Sequence, residues 1–153
     1  MIRLANVNDI IEINKLLFQV QEIHADLRPD LFKVGGKKYG ADELEKIITQ
    51  KDETPIFVFE EDDKIVGYAF CIIFNHFDNS SNYKNLYIDD LCVNQDCRGK
   101  GIGTALYNHV LNYAKGIGCY NVTLNVWEGN DEAMEFYKHV GMKIQKTGME
   151  KIL

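Results

Sequence analysis

Two prolines, four cysteines and the absence of any long apolar run set the first limits on what this 153-residue chain can be. No stretch approaches the roughly 20 apolar residues that a membrane-spanning helix requires. The N-terminus also lacks the basic-then-apolar pattern of a secretory signal, so no membrane partner is expected. Cys71, Cys92, Cys97 and Cys119 include no CxxC pair. A chain of this size buries a core without covalent staples, so the thiols are expected to be reduced and the protein cytoplasmic. Lysine and arginine number 17 against 23 acidic residues, for a net charge of −6. That withholds the clustered cations nucleic acid would need, and it is compatible with a cationic substrate. No metal-ligand spacing connects the four histidines. Repeats and low-complexity tracts are missing too. What remains, 46% hydrophobic and 26% charged, reads as one globular domain over residues 1–153.

The most informative feature present is Arg98-Gly99-Lys100-Gly101-Ile102-Gly103-Thr104, between an extended run at 87–93 and a helical pattern starting near Ile102. A glycine-rich turn from strand to helix points backbone N–H groups at a ligand from a positive helix end, which suits a phosphate. A dinucleotide fingerprint requires glycine at its sixth place, where this chain has Thr104. A nucleotide-triphosphate loop requires Ser or Thr after the lysine, and Lys100 precedes Gly101.

The remaining pattern is mixed. Ile2-Arg3-Leu4 reads as a strand, and Asn6 or Asn8 caps a helix with its stripe at Ile10, Ile13, Leu16, Leu17 and Val20. Pro29 and Gly35-Gly36 make residues 26–40 a loop, and a short helix follows with Leu44, Ile47 and Ile48. Residues 56–60 and 65–74 read as a hairpin, 75–82 as a loop, 86–93 as the central strand and 102–115 as a helix ended by Gly116 and Gly118. Residues 122–126 form another strand, and Ala133, Phe136, Tyr137 and Val140 mark a helix closed by Gly141. Residues 143–145 and 149–152 are expected to form a final hairpin. The fold class is α/β, a mixed and largely antiparallel sheet flanked by helices.

Arg-x-x-Gly-x-Gly at residues 98–103, followed by Asn130, Ala133, Phe136-Tyr137 and Gly141, resembles the GNAT family of N-acetyltransferases. The resemblance covers the whole chain, most strongly residues 86–141. It implies acetyl-CoA as co-substrate and no metal. In that family the backbone of Arg98, Gly99, Lys100, Gly101, Ile102, Gly103 and Thr104, with the Thr104 hydroxyl, would hold the coenzyme pyrophosphate. Leu91, Cys92 and Val93 would pair with its pantetheine arm and supply an N–H that stabilises charge on the thioester oxygen. Asn130 serves equally as a helix N-cap and as a coenzyme contact, with Ala133 beside it. Cys92 has no His or acid at a telling spacing and reads as a packed thiol rather than a nucleophile.

The resemblance sets the Tyr137 hydroxyl beside the thioester sulfur as the acid for the departing thiolate. Asp89 and Asp90 stand adjacent in an apolar strand, where strict alternation sends them to opposite faces. The stretch at 86–93 resembles the matching strand of diamine and polyamine acetyltransferases. On that match Asp89 binds the acceptor ammonium and assists its deprotonation through water, while Asp90 is read as a structural bond to loop backbone. His24, Trp127 and Glu128 fall where the family places substrate-binding segments. Three functions stay open: transfer of acetyl to a primary amine of a small, polyamine-like molecule, acetylation of peptide N-termini or lysines, and a non-catalytic acyl-CoA sensor. Family members often pair through C-terminal strands, which leaves a homodimer open.

Overall fold

The computed structural model describes residues 1–153. One sheet organises the chain. Strands β1 (Ile2–Leu4), β2 (Ile56–Glu61), β3 (Lys64–Phe77), β4 (Asn82–Val93) and β5 (Asn121–Thr123) lie side by side in chain order. All neighbours are antiparallel except the β4–β5 pair. Helices α1 (Ile10–Leu27) and α2 (Ala41–Thr49) cover one face. Helix α3 (Ile102–Gly116) covers the other, with α4 (Asp131–His139) near its start.

Each face has its own core. Ile13, Leu16, Leu17 and Leu44 pack on Ile56, Val58, Tyr68 and Phe70, while Leu106 and Val110 pack on Phe57, Ala69, Leu86 and Ile88. The alternation along β2 and β3 that divides these residues between two faces is the signature of a sheet buried on both sides. Asp62 and Asp63 turn β2 into β3 with φ of 50° and 58°. That is the two-residue turn whose twist suits a hairpin.

Three boundaries differ from expectation. Helix α1 runs on to Leu27, so His24 and Asp26 belong to its last turns rather than to a loop. Pro29 stops it by excluding helical backbone at Arg28, which has φ −137° and ψ 70°. Strands β3 and β4 reach into the 75–82 segment and pair there as far as Phe77 and Asn82. The expected final hairpin does not form, because residues 143–153 hold no strand. Gln145 and Lys146 lie beside Asn121 and Thr123 of the edge strand β5 without adding a strand to it, and an isolated two-stranded hairpin has little stability in water.

The β3–β4 ladder carries one irregularity that shapes the functional region. Phe70 pairs with Asp90 and Cys71 with Ile88, so Asp89 is an extra residue in β4. Before it, Leu86 and Ile88 point to the α3 side; after it, Leu91 and Val93 do so, and Cys92 joins the α1 core. The bulge reverses the phase of the strand. Asp89 and Asp90 therefore share one face, correcting the opposite-face expectation.

Candidate active site

Strand β5 pairs with β4 only from Asn85 to Tyr87, and beyond that the two strands part. Buried Asn85 holds the joined end, donating from Nδ2 to Asn121 Oδ1 at 2.8 Å and Thr123 Oγ1 at 3.1 Å. A cavity of about 960 Å³ opens along the unpaired part of β4. Its wall includes His24, Asp89, Leu91, Cys92, Val93, Trp127, Asn130, Ala133 and Tyr137, together with Arg98, Gly99, Gly101, Ile102, Gly103 and Thr104. Two residues expected at the site are not on this wall. The Lys100 side chain turns toward Glu61 at 3.7 Å, and Glu128 is exposed.

The loop at 98–104 is shaped by its glycines. Gly99 and Gly101 have φ of +77° and +78°, a left-handed backbone that L side chains adopt only with strain. None of the N–H groups of residues 99–104 donates to the protein, and Gly101 begins α3 without a side-chain cap. A run of unused donors at the positive end of a helix fits a pyrophosphate. Arg98 Nε reaches Val93 O at 3.3 Å and its guanidinium meets Glu132 at 3.3 Å, tying the loop to β4 and α4. Asn130 Oδ1 accepts from Ala133 N–H at 3.3 Å, so the N-cap role holds at the start of α4.

The edge of β4 offers a second binding element. Asn94 N–H donates to Val66 O at 2.8 Å. Antiparallel pairs alternate, so in this register Cys92 bonds toward β3 while the N–H groups of Leu91 and Val93 face the cavity. An extended arm laid there finds the donors of an open strand edge. Gly67 brings α3 close behind this edge, since a Cβ on it would lie 3.0 Å from Cys92 O and 3.1 Å from Leu106 Cδ1.

The titratable groups are set apart by environment. Asp89 Oδ2 accepts from Lys38 Nζ and from Tyr39 Oη, each at 2.7 Å, and its Oδ1 takes no protein donor. Asp90 Oδ2 accepts from Tyr68 Oη at 2.7 Å, so its partner is a core tyrosine rather than the loop backbone expected. Burial pushes the Asp90 carboxyl up to about 6, against the lowering effects of the Tyr68 hydrogen bond and of Lys38. The Tyr137 phenol is raised well above its usual range, first by burial and then by the negative charge of Asp90, and no protein group bonds its hydroxyl. The Cys92 thiol is pushed up to about 12 by burial, with Asp90 adding to it, so it remains a protonated, unreactive thiol. His24 is held below its ordinary value by burial and then by Lys38, and its ring lies tilted against Phe32 with centroids 5.1 Å apart. Phe32 in turn meets Trp127 edge-on at 5.7 Å.

Lys38, Tyr39 and Tyr68 escaped the sequence reading. Tyr68 sits in an apolar strand and looks like plain core; Lys38 and Tyr39 lie about fifty residues from Asp89. The only available signal was that a carboxylate in an apolar strand demands a partner.

A nucleotide-sized cradle of backbone donors, an open strand edge and two carboxylates facing one cavity define the coenzyme-thioester acyltransferase type of architecture. The comparisons agree. Residues 19–142 match the Acetyltransferase (GNAT) family, and the chain belongs to it. It is 39% identical over 98 residues to an uncharacterized N-acetyltransferase of Methanocaldococcus jannaschii, covering 64% of this chain and 43% of that protein. It is 32% identical over 112 residues to the peptidyl-lysine N-acetyltransferase YjaB of Salmonella typhimurium, covering 72% of this chain and 64% of that protein. The chain thus spans less than two thirds of the length of these relatives. The crystal structure of a variant of the BH1408 protein from Bacillus halodurans superposes with a TM-score of 0.93 at 31% identity, covering 100% of this chain and 99% of that one.

Proposed function

We propose that this protein transfers an acetyl group from acetyl-CoA to a primary amine on a small cationic molecule. One observation carries the reading: residues 99 and 101–104 with their free N–H groups, the open edge at Leu91 and Val93, Asp89 and Tyr137 all line the same cavity. Acetyl-CoA supplies the thioester that is cleaved. The 99–104 backbone and Thr104 would hold its pyrophosphate, and the β4 edge would hold its arm. A fixed N–H of that edge stabilises charge on the thioester oxygen as the amine adds.

Asp89 binds the acceptor as its ammonium. The amine must lose a proton before it attacks, and Asp90 is the better acceptor of it through water. At about 6 its carboxyl lies nearer the working pH than an ordinary carboxylate. The N–C bond forms, the C–S bond breaks, and the departing sulfur takes a proton from Tyr137, which is restored through water by the proton that the acylated nitrogen sheds as it becomes a neutral amide. Burial suits that last step, because the wall that raises Tyr137 also raises any thiolate formed against it, as it does Cys92.

A second reading, acetylation of a lysine side chain in a peptide, is favoured by the name of the Salmonella relative. Both readings present an alkylammonium to Asp89. The deciding experiment follows thiol release from acetyl-CoA across polyamines, amino acids, aminoglycosides and short peptides, with product masses checked. Turnover on small amines supports the first reading and turnover on peptides alone supports the second. Coenzyme binding without turnover on any of them would remove the enzymatic reading and leave a sensor.

A further inference from the structure

We propose that Lys38 is a tethered competitor for the acceptor position at Asp89, so that the protein admits primary alkylammonium groups that displace its own lysine. The inference rests on the acceptor reading above and names a specificity-determining residue outside it.

Lys38 belongs to the 28–40 segment between α1 and α2, which roofs the cavity. Its Nζ lies 2.7 Å from Asp89 Oδ2 and 5.6 Å from the Tyr39 ring centroid, so the ammonium is seated on a carboxylate beside an aromatic face. The Tyr39 ring is itself fixed, stacked on Phe70 at 5.5 Å and 10°. Carboxylate, aromatic face and apolar wall are the elements that recognise an alkylammonium. The Asp89 side chain is only 15% exposed while that of Lys38 is 43% exposed, so the lysine reaches in from the rim and the carboxylate opens chiefly to the cavity. The neighbouring Lys37 also borders the cavity but does not pair with Asp89; its Nζ lies over the Phe18 ring at 5.7 Å.

An ammonium that takes the Asp89 Oδ2 position must displace Lys38, and its apparent affinity falls by the fraction of molecules in which the lysine has let go. A half-exposed ion pair is weak, so the lysine is displaceable and its removal strengthens binding by about fivefold rather than by orders of magnitude. A neutral ligand has no charge to offer Asp89 and gains nothing from the exchange.

The test is calorimetric titration of the full chain with Nα-acetyl-lysine methylamide and its neutral analogue Nα-acetyl-norleucine methylamide. Lys38→Ala is expected to bind the lysine compound about fivefold more tightly than the unmodified protein, with Lys38→Gln behaving alike. Lys37→Ala, which removes the same charge from the same segment, leaves the affinity unchanged. The norleucine compound binds all of these alike, which also reports that the variants are folded, and Asp89→Asn in the Lys38→Ala background abolishes the gain. Equal affinity in the unmodified protein and Lys38→Ala, or an equal gain from Lys37→Ala, overturns the proposal. Failure of acetyl transfer with the Lys38 gain intact would remove the enzymatic reading alone; normal turnover without the gain would remove the competitor alone.

Discussion

At the scale of single residues, the proposed chemistry separates into a donor and an acceptor of protons, Tyr137 on α4 and Asp90 on β4. Tyr137 keeps its proton because burial and Asp90 both disfavour the phenolate. Replacing it with Phe removes the proposed donor and leaves the ring. Turnover is expected to fall about a hundredfold, the usual contribution of a positioned acid, while the affinity for CoA measured by calorimetry stays the same. Unchanged turnover would take Tyr137 out of the mechanism.

Asp90 makes a prediction about stability. Its folded value, about 6, lies above the ordinary 3.8, so the native state holds the proton more tightly than the unfolded chain. The stabilisation is complete below about 4 and is lost as the pH rises through about 6, leaving a buried carboxylate that costs free energy at neutral pH. Asp90→Asn removes that cost and keeps an oxygen for Tyr68. At pH 7.5 the variant is expected to be more stable by about 3 kcal/mol, with the advantage vanishing near pH 4. Urea unfolding at both pH values measures it, and a constant difference would show that Asp90 does not titrate with folding. Its acetyl-transfer profile should also lose the acid limb near pH 6.

At the scale of elements, the bulge at Asp89 decides what the two carboxylates can do, and it was the part of the site least legible in the sequence. The loop at 98–104 could be read directly, because three alternating glycines and a following helical period are local signals. The helices could be read from their apolar stripes. A bulge depends on how two strands register, and no residue near Asp89 announces it, since neither Gly nor Pro stands there. Alternation was a sound rule applied to a strand that breaks it. The same distinction explains the C-terminal segment, where a suitable pattern of residues lies beside β5 without pairing with it.

Gly67 tests how far the α3 packing supports the proposed coenzyme site. A methyl group there would meet the Cys92 carbonyl at 3.0 Å and two side chains of α3. The backbone oxygen cannot turn aside, so Gly67→Ala should lower stability by about 1–3 kcal/mol, the range for overpacking. It should also weaken CoA binding, because Ile102 and Leu106 carry the start of α3 with them. A stability loss with unaltered CoA affinity would show that the loop keeps its place independently of that contact.

For the whole molecule, one sheet joins two cores, and the cavity lies where that sheet divides at β4 and β5. The parts that define it, from α1, the 28–40 segment, β4, α3 and α4, are buried or tied to one another, whereas residues 143–153 are exposed throughout. Ile144, Met149, Ile152 and Leu153 keep most of their surface in solvent, so removing them sacrifices little buried area. The polar tie that holds this segment is Glu150 to Arg28 at 2.5 Å. Arg28 does not depend on it, being bonded to Asp30 at 2.7 Å and set 5.5 Å above the Trp127 ring. An exposed ion pair adds little to stability. Ending the chain after Met142 should therefore shift the urea midpoint only slightly and leave CoA affinity intact. A loss of several kcal/mol would mean that these apolar side chains are buried in solution against a surface outside this fold, and sedimentation of the intact and shortened chains would then identify a second copy as that surface.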